Sequence, residues 1–226
     1  MTQTFRPITA RRELATRHAR WARALARRLA AAGVRPNAIS VAGVGFALAA
    51  AAAFFLSAAG LATSGGAAML VAAAACIQLR LLCNLLDGMV AVEEGRQTRT
   101  GEIFNDLPDR IGDVLILAGA GYASPQSGHA VTLGWAAAMM ALLTAYVRVL
   151  GGSLGLRPPF IGPMAKQHRM FVLTVVTLLA ACETAAGTRA LAIPTGLAVI
   201  VLGSIVTVGR RTRRLLDEAV ADPGRL

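Results

Sequence analysis

Residues 84–113 read NLLDGMVAVEEGRQTRTGEIFNDLPDRIGD, a polar and acidic passage between two long apolar runs. Asn84 and Asp87 are three positions apart, and Asn105, Asp109 and Asp113 follow each other at intervals of four. On two antiparallel helices joined near Gly95, that spacing turns all five side chains toward a shared point. A carboxylate inside a bilayer is costly, so such residues mark a functional site by default. Oxygen ligands without a nearby His or Cys suit a hard cation such as Mg²⁺ or Mn²⁺.

The rest of the chain supplies the membrane context. Of 226 residues, 55% are hydrophobic and only 15% are charged. The mean hydropathy of +0.58 excludes an ordinary soluble domain and predicts an integral membrane protein. Six apolar segments, at 38–60, 67–91, 104–123, 129–151, 169–186 and 190–209, each approach the ~20 residues that span a bilayer. Abundant Ala and Gly permit close helix packing. The predicted fold is all-α, a bundle of six transmembrane helices preceded by an amphipathic interfacial helix. Residues 1–37 form a basic N-terminal part, 38–209 the membrane domain and 210–226 a basic tail.

The net charge of +11 does not point to nucleic acid, because the cations cluster at the ends of apolar segments. Anionic lipid and phosphate-bearing substrates fit better. Nine arginines precede the first span, and Arg96, Arg99, Arg157, Lys166, Arg169, Arg210, Arg211, Arg213 and Arg214 lie in alternate connections and the tail. The positive-inside rule puts both termini, and the acidic cluster, on the cytoplasmic side. Residues 10–32 set Arg17, Arg20, Arg23, Arg27 and Arg28 against Leu14, Trp21, Leu25 and Leu29, a helix suited to the headgroup plane. Cys76, Cys83 and Cys182 show no metal or redox spacing and read as small hydrophobes.

Asn84, Asp87, Gly88, Ala91, Val92, Gly101, Asn105 and Asp109 stand at the positions of the pattern D-x-x-D-G-x-x-A-R followed by G-x-x-x-D-x-x-x-D. The chain thereby resembles the CDP-alcohol phosphatidyltransferase family. The interval from Asp87 to Gly101, and Thr98-Arg99 before that glycine, are similar to bacterial phosphatidylglycerophosphate synthases. Pro36-Asn37-Ala38-Ile39-Ser40 is similar to the opening of the family's first span. Asn84 and Asn105 replace two of four metal-binding aspartates, and Val92 replaces an arginine. Asn still offers an oxygen, but a neutral one.

The resemblance implies transfer of a phosphatidyl group from CDP-diacylglycerol, or another CDP-alcohol, to a small alcohol such as glycerol 3-phosphate, with release of CMP. It implies Mg²⁺ or Mn²⁺ held by Asn84, Asp87, Asn105 and Asp109, and a CDP site formed by Asp87, Gly88, Ala91, Thr98 and Gly101. Asp109 is the candidate general base; its bland alternative is an ion pair, with Arg110 as partner. Arg148, Lys166 and Arg169 are candidates for an acceptor phosphate. Arg80 and Asp113 are expected to form a buried structural pair with charged groups within about 6 Å. The resemblance also implies a homodimer in the cytoplasmic membrane of a bacterium. The alternatives are a silent CDP-lipid-binding relative and a transporter of a phosphorylated metabolite.

Overall fold

The computed structural model describes residues 20–59, 64–93 and 99–221, with the backbone alone at 64, 92, 93, 99–102, 104 and 105. The described residues form helices: α1 (Arg20–Ala31), α2 (Pro36–Ala59), α3 (Ser64–Glu93), α4 (Arg99–Tyr122), α5 (Ala130–Ser153), α6 (Lys166–Ala185) and α7 (Ala192–Ala221), with a 3₁₀ turn at Pro125–Ser127. Five of them, α2, α3, α5, α6 and α7, are long and apolar enough to cross a membrane. α4 has the same 24-residue length as α2 and α5. It carries Asp106, Asp109, Arg110 and Asp113, so its polar side must face protein or water. The protein is a multi-pass membrane bundle.

Neighbours around the bundle run α3, α2, α4, α5, α7, α6 and back to α3. The two halves of the acidic passage, on α3 and α4, touch each other only sparsely. α2 packs along both. The core between the helices is built from Ala47, Ala50, Phe54, Ile77, Ile116, Leu117, Leu173, Leu197 and Ile200. Outward-facing Leu48, Met139, Phe171 and Leu202 are each more than half exposed. Large apolar side chains on the outside of every such helix are what a lipid solvent requires.

Small residues set the helix spacing. A Cβ at Gly134 of α5 would stand 2.9 Å from the Leu117 carbonyl oxygen and 3.0 Å from Gly121 Cα. Those distances leave no room for a side chain, so α4 and α5 meet backbone to backbone. Gly134→Val is expected to lower stability by about 1–3 kcal/mol through overpacking. Gly45→Ala is the control, because a Cβ there meets nothing within 4 Å. Thermal unfolding in detergent should separate the two, with Gly45→Ala unchanged or slightly stabilised.

The ends of the chain differ from the expected pattern. Residues 10–19 of the expected amphipathic helix lie outside the described residues. The described part, α1, buries Ala22 and Ala26 and packs Leu25 and Leu29 against Cys83, Leu86, Met89 and Val90 of α3. Trp21, expected on the apolar side, is 56% exposed, while the alanines make the contact. Gly33, at φ +73°, closes α1, and Val34 N–H reaches back to the Leu29 carbonyl at 3.0 Å. This left-handed cap turns the chain into Pro36 at the first position of α2.

The expected basic tail is largely helix. α7 continues to Ala221 because one face remains useful to the fold: Thr207, Arg211 and Leu215 are buried. Leu215 packs with Val147 and Leu156, and Arg211 Nε donates to the Ile161 carbonyl at 3.0 Å.

Candidate active site

α3 presents Arg80, Asn84, Asp87, Gly88 and Ala91 along one face, the consequence of steps of three and four residues. Asp87 is 4% exposed. Its Oδ2 accepts a 2.7 Å hydrogen bond from Ser40 Oγ of α2, and its Oδ1 accepts from Gly88 N–H at 2.6 Å. A buried carboxylate without such donors would be strongly disfavoured. Ser40, the last residue of the Pro36–Ser40 segment, therefore sets the orientation of Asp87. The opposite wall is close here too: a Cβ at Gly43 would come within 3.3 Å of Cys83 Cβ and 3.8 Å of Asn84 Oδ1. Asn84 Nδ2 is buried with no hydrogen-bond partner.

α4 offers three carboxylates, two of which, Asp109 and Asp113, share Arg80 as a charged neighbour. Asp109 Oδ2 lies 2.5 Å from Lys166 Nζ at the start of α6. Asp106 Oδ1 accepts from Arg110 Nη2 at 2.6 Å and from Arg148 Nη2 of α5 at 3.0 Å. Arg110 thus turns to Asp106 and not to Asp109. One turn deeper, Asp113 lies between two guanidiniums. Arg80 Nη2 stands 2.9 Å from its Oδ1, a charge contact without hydrogen-bond alignment. Arg169 Nη2 donates to its Oδ2 at 3.2 Å. All three of these side chains are at most 2% exposed.

The sequence-derived residues divide accordingly. Asp87 lies within the electrostatic reach of Asp109 and Lys166, and Lys166 and Arg148 pair with α4 carboxylates while 23% and 33% exposed. Arg169, expected on an acceptor phosphate, points instead into the bundle. Its Nη1 donates to Thr144 Oγ1 and to the Met164 carbonyl, both at 3.0 Å. Three residues beyond Lys166, it lies on the deeper side of α6, where Asp113 claims its charge. His168 Nδ1 meets the Pro163 carbonyl at 2.8 Å, an exposed loop contact. Thr98 lies outside the described residues, as do the side chains of Val92 and Asn105. Gly101 falls within the first turn of α4.

Among the described residues, no three His, Cys, Asp or Glu side chains converge as a metal site. The donors that are described, Asp87, Asp109 and the Asn84 amide oxygen, are nevertheless all hard oxygens. By donor chemistry, such a set suits a hard divalent cation.

Ser40, Asp106 and Gly112 hold no position in the sequence pattern, and Arg110 enters it only as an ion-pair partner for Asp109. For Ser40 the signal was its place in the opening of α2. For Asp106 it was the four-residue step to Arg110, a spacing that favours ion pairs on a helix.

The fold and site define a multi-pass membrane protein with a charged cleft between α3, α4 and α6. No family model matches the chain, and no curated protein matches it by sequence. Solved structures do. The Mycobacterium tuberculosis phosphatidylinositol phosphate synthase with CDP-DAG bound is 20% identical with a TM-score of 0.75, covering 92% of this chain and 98% of that one. The same synthase in complex with manganese and citrate gives 20% and 0.74, with 91% of each chain covered. Its apo form gives 20% and 0.70, with 90% and 98% covered. The chain shares the fold of that synthase over nearly its whole length.

Proposed function

We propose that this protein is a CDP-alcohol phosphatidyltransferase. It moves a phosphatidyl group from CDP-diacylglycerol to a small phosphorylated alcohol, such as glycerol 3-phosphate, and releases CMP. One observation carries the reading: Asp87 lies within the electrostatic reach of Asp109 and of Lys166, which pairs with Asp109, within a fold shared with a synthase that has CDP-DAG bound. The weight of cations in the N-terminal segment, the alternate connections and α7 supports a cytoplasmic opening. A bacterial cytoplasmic membrane and a homodimer paired through the Ala- and Gly-rich spans complete the proposal.

Asn84, Asp87, Asn105 and Asp109 would hold a divalent cation, Mg²⁺ or Mn²⁺. When bound, that cation neutralises pyrophosphate charge and supports the departing phosphate. The chain's own groups do the rest. Ser40 and the Gly88 N–H hold the Asp87 carboxylate in one orientation. Gly88, Ala91 and Gly101 carry little or no side chain, so the nucleotide can approach the α3 and α4 backbones. Arg148 and Lys166 bind the acceptor's phosphate, Arg by a planar fork and Lys as a point charge. The acceptor hydroxyl attacks the β-phosphorus, the bond to CMP breaks, and the hydroxyl proton passes to Asp109. Alignment of hydroxyl, phosphorus and leaving oxygen is the main catalytic contribution.

The acceptor carries the most specific test. Purified protein with CDP-diacylglycerol and Mg²⁺ or Mn²⁺ should release CMP with phosphorylated polyols. Their dephosphorylated counterparts should be slower by about 10- to 100-fold, the worth of a charge-assisted contact of ~1.5–3 kcal/mol. Equal rates for both would remove the acceptor-phosphate role of Lys166 and Arg148. Nucleotide-lipid binding with no CMP release from any acceptor would favour a silent relative.

A further inference from the structure

Arg80 does more than neutralise Asp113. Its guanidinium, 1% exposed, reaches past Asp113 to α4's backbone. Nη2 donates to the main-chain carbonyl of Asp109 at 2.7 Å and stands 3.7 Å from the Asp109 carboxylate. Asp113 is already served by Arg169 on its other oxygen, so a second cation is not required for Asp113 alone. α4 is shaped to admit the guanidinium. A Cβ at Gly112 would collide with Arg80 Nε and stand 2.9 Å from its Cζ, inside contact distance. Pro108, immediately before Asp109, removes one N–H from the helix ladder, so α4 has less backbone hold of its own at this turn. The charged groups around Arg80 are Asp109 and Asp113 from α4 and Lys166 and Arg169 from α6, which pair with those two carboxylates.

We propose that Arg80 is a positioning residue for Asp109. Its guanidinium, admitted by Gly112, fixes the height of Asp109 on α4 relative to Lys166 and to Asp87 across the cleft. The proposal rests on the transferase reading for its kinetic consequences. The mechanical part, that Gly112 matters because Arg80 lies against it, stands separately.

A double-mutant cycle between Arg80→Met and Gly112→Ala tests it, with Arg80→Lys as a variant that keeps the charge and loses the fork. Gly112→Ala keeps every charge and shifts only the guanidinium. It should lower kcat for CMP release by about tenfold, while KM for CDP-diacylglycerol stays within about twofold, because misalignment acts on the transition state. Added to Arg80→Met, it should cost nothing further. Arg80→Lys should resemble Arg80→Met in kcat. Gly134→Val, remote from Arg80, calibrates losses that come from instability alone. Additive losses in the cycle, wild-type kcat in Gly112→Ala, or losses that follow melting temperature as in Gly134→Val would each overturn the proposal. Should the wild type release no CMP, the transferase reading fails instead. Hydrogen exchange over residues 106–113 then reads the same cycle: non-additive acceleration supports the Arg80 grip, and additive acceleration refutes it.

Discussion

Asp87→Asn is expected to reduce CMP release by about 100- to 1,000-fold, the usual loss when one preorganised electrostatic partner of a transition state is removed. The substitution keeps shape and volume, and its amide oxygen can still accept from Ser40, which holds the native carboxylate at 2.7 Å. The fold should therefore survive, with an unchanged elution profile and melting temperature. The charge has no reserve: Asp87 is the one carboxylate on α3 among the residues whose side chains are described. Asn84, one turn before it, already contributes only a neutral amide. A rate within about threefold of wild type would remove Asp87 from the centre of the site. The reverse change, Asn84→Asp with Asn105→Asp, restores the carboxylates of the pattern the chain resembles. It shows whether the asparagines suit this protein's chemistry or weaken it.

The largest effect on stability is expected at Asp113. Asp113→Ala leaves Arg80 and Arg169 buried at 1% and 2% exposure without the anion between them. Removing one partner of a buried pair costs about 3–5 kcal/mol, because the remaining charge stays desolvated. Arg169→Met should cost less, since Arg80 still faces Asp113 at 2.9 Å, although the Arg169 hydrogen bond to Asp113 is lost together with the Thr144 and Met164 contacts. Unfolding in mixed detergent micelles measures both. A loss below about 1 kcal/mol in Asp113→Ala would mean that water or lipid headgroups reach the two guanidiniums.

Much of the site is legible because helical spacing survives folding. Asn84 and Asp87 on one helix, and Asp109 and Asp113 on another, had to share faces once both were helices. A buried Arg in an apolar run, such as Arg80, demanded a counter-charge, and Asp113 was the acid at matching depth. What spacing cannot supply is the order of helices around the ring. Without it, nothing in the sequence says that α6 closes the cleft opposite α2 and α4. The partners of Lys166 and Arg169, three residues apart on α6, were therefore invisible: the first meets Asp109 at the cleft, the second Asp113 within the bundle. The extension of α7 was hidden for another reason. Four arginines within residues 210–214 read as a solvated tail, yet Thr207, Arg211 and Leu215 repeat at the interval of a buried helical stripe. Arg211 enters because backbone carbonyls of Thr144 and Ile161 receive its guanidinium. Ser40 was hidden in plain view, since a hydroxyl in an apolar helix has many local uses and only the tertiary structure brings Asp87 to it.

The central claim is group transfer, and isotope tracing reads it without inference. Purified protein in detergent or vesicles is given CDP-diacylglycerol, Mg²⁺ or Mn²⁺, and a radiolabelled phosphorylated acceptor. The account predicts label in the chloroform-soluble lipid and CMP in equal molar amount, both lost in Asp87→Asn. CMP without labelled lipid would make the protein a hydrolase, and bound CDP-diacylglycerol with neither product would make it a binding protein; either result contradicts the account.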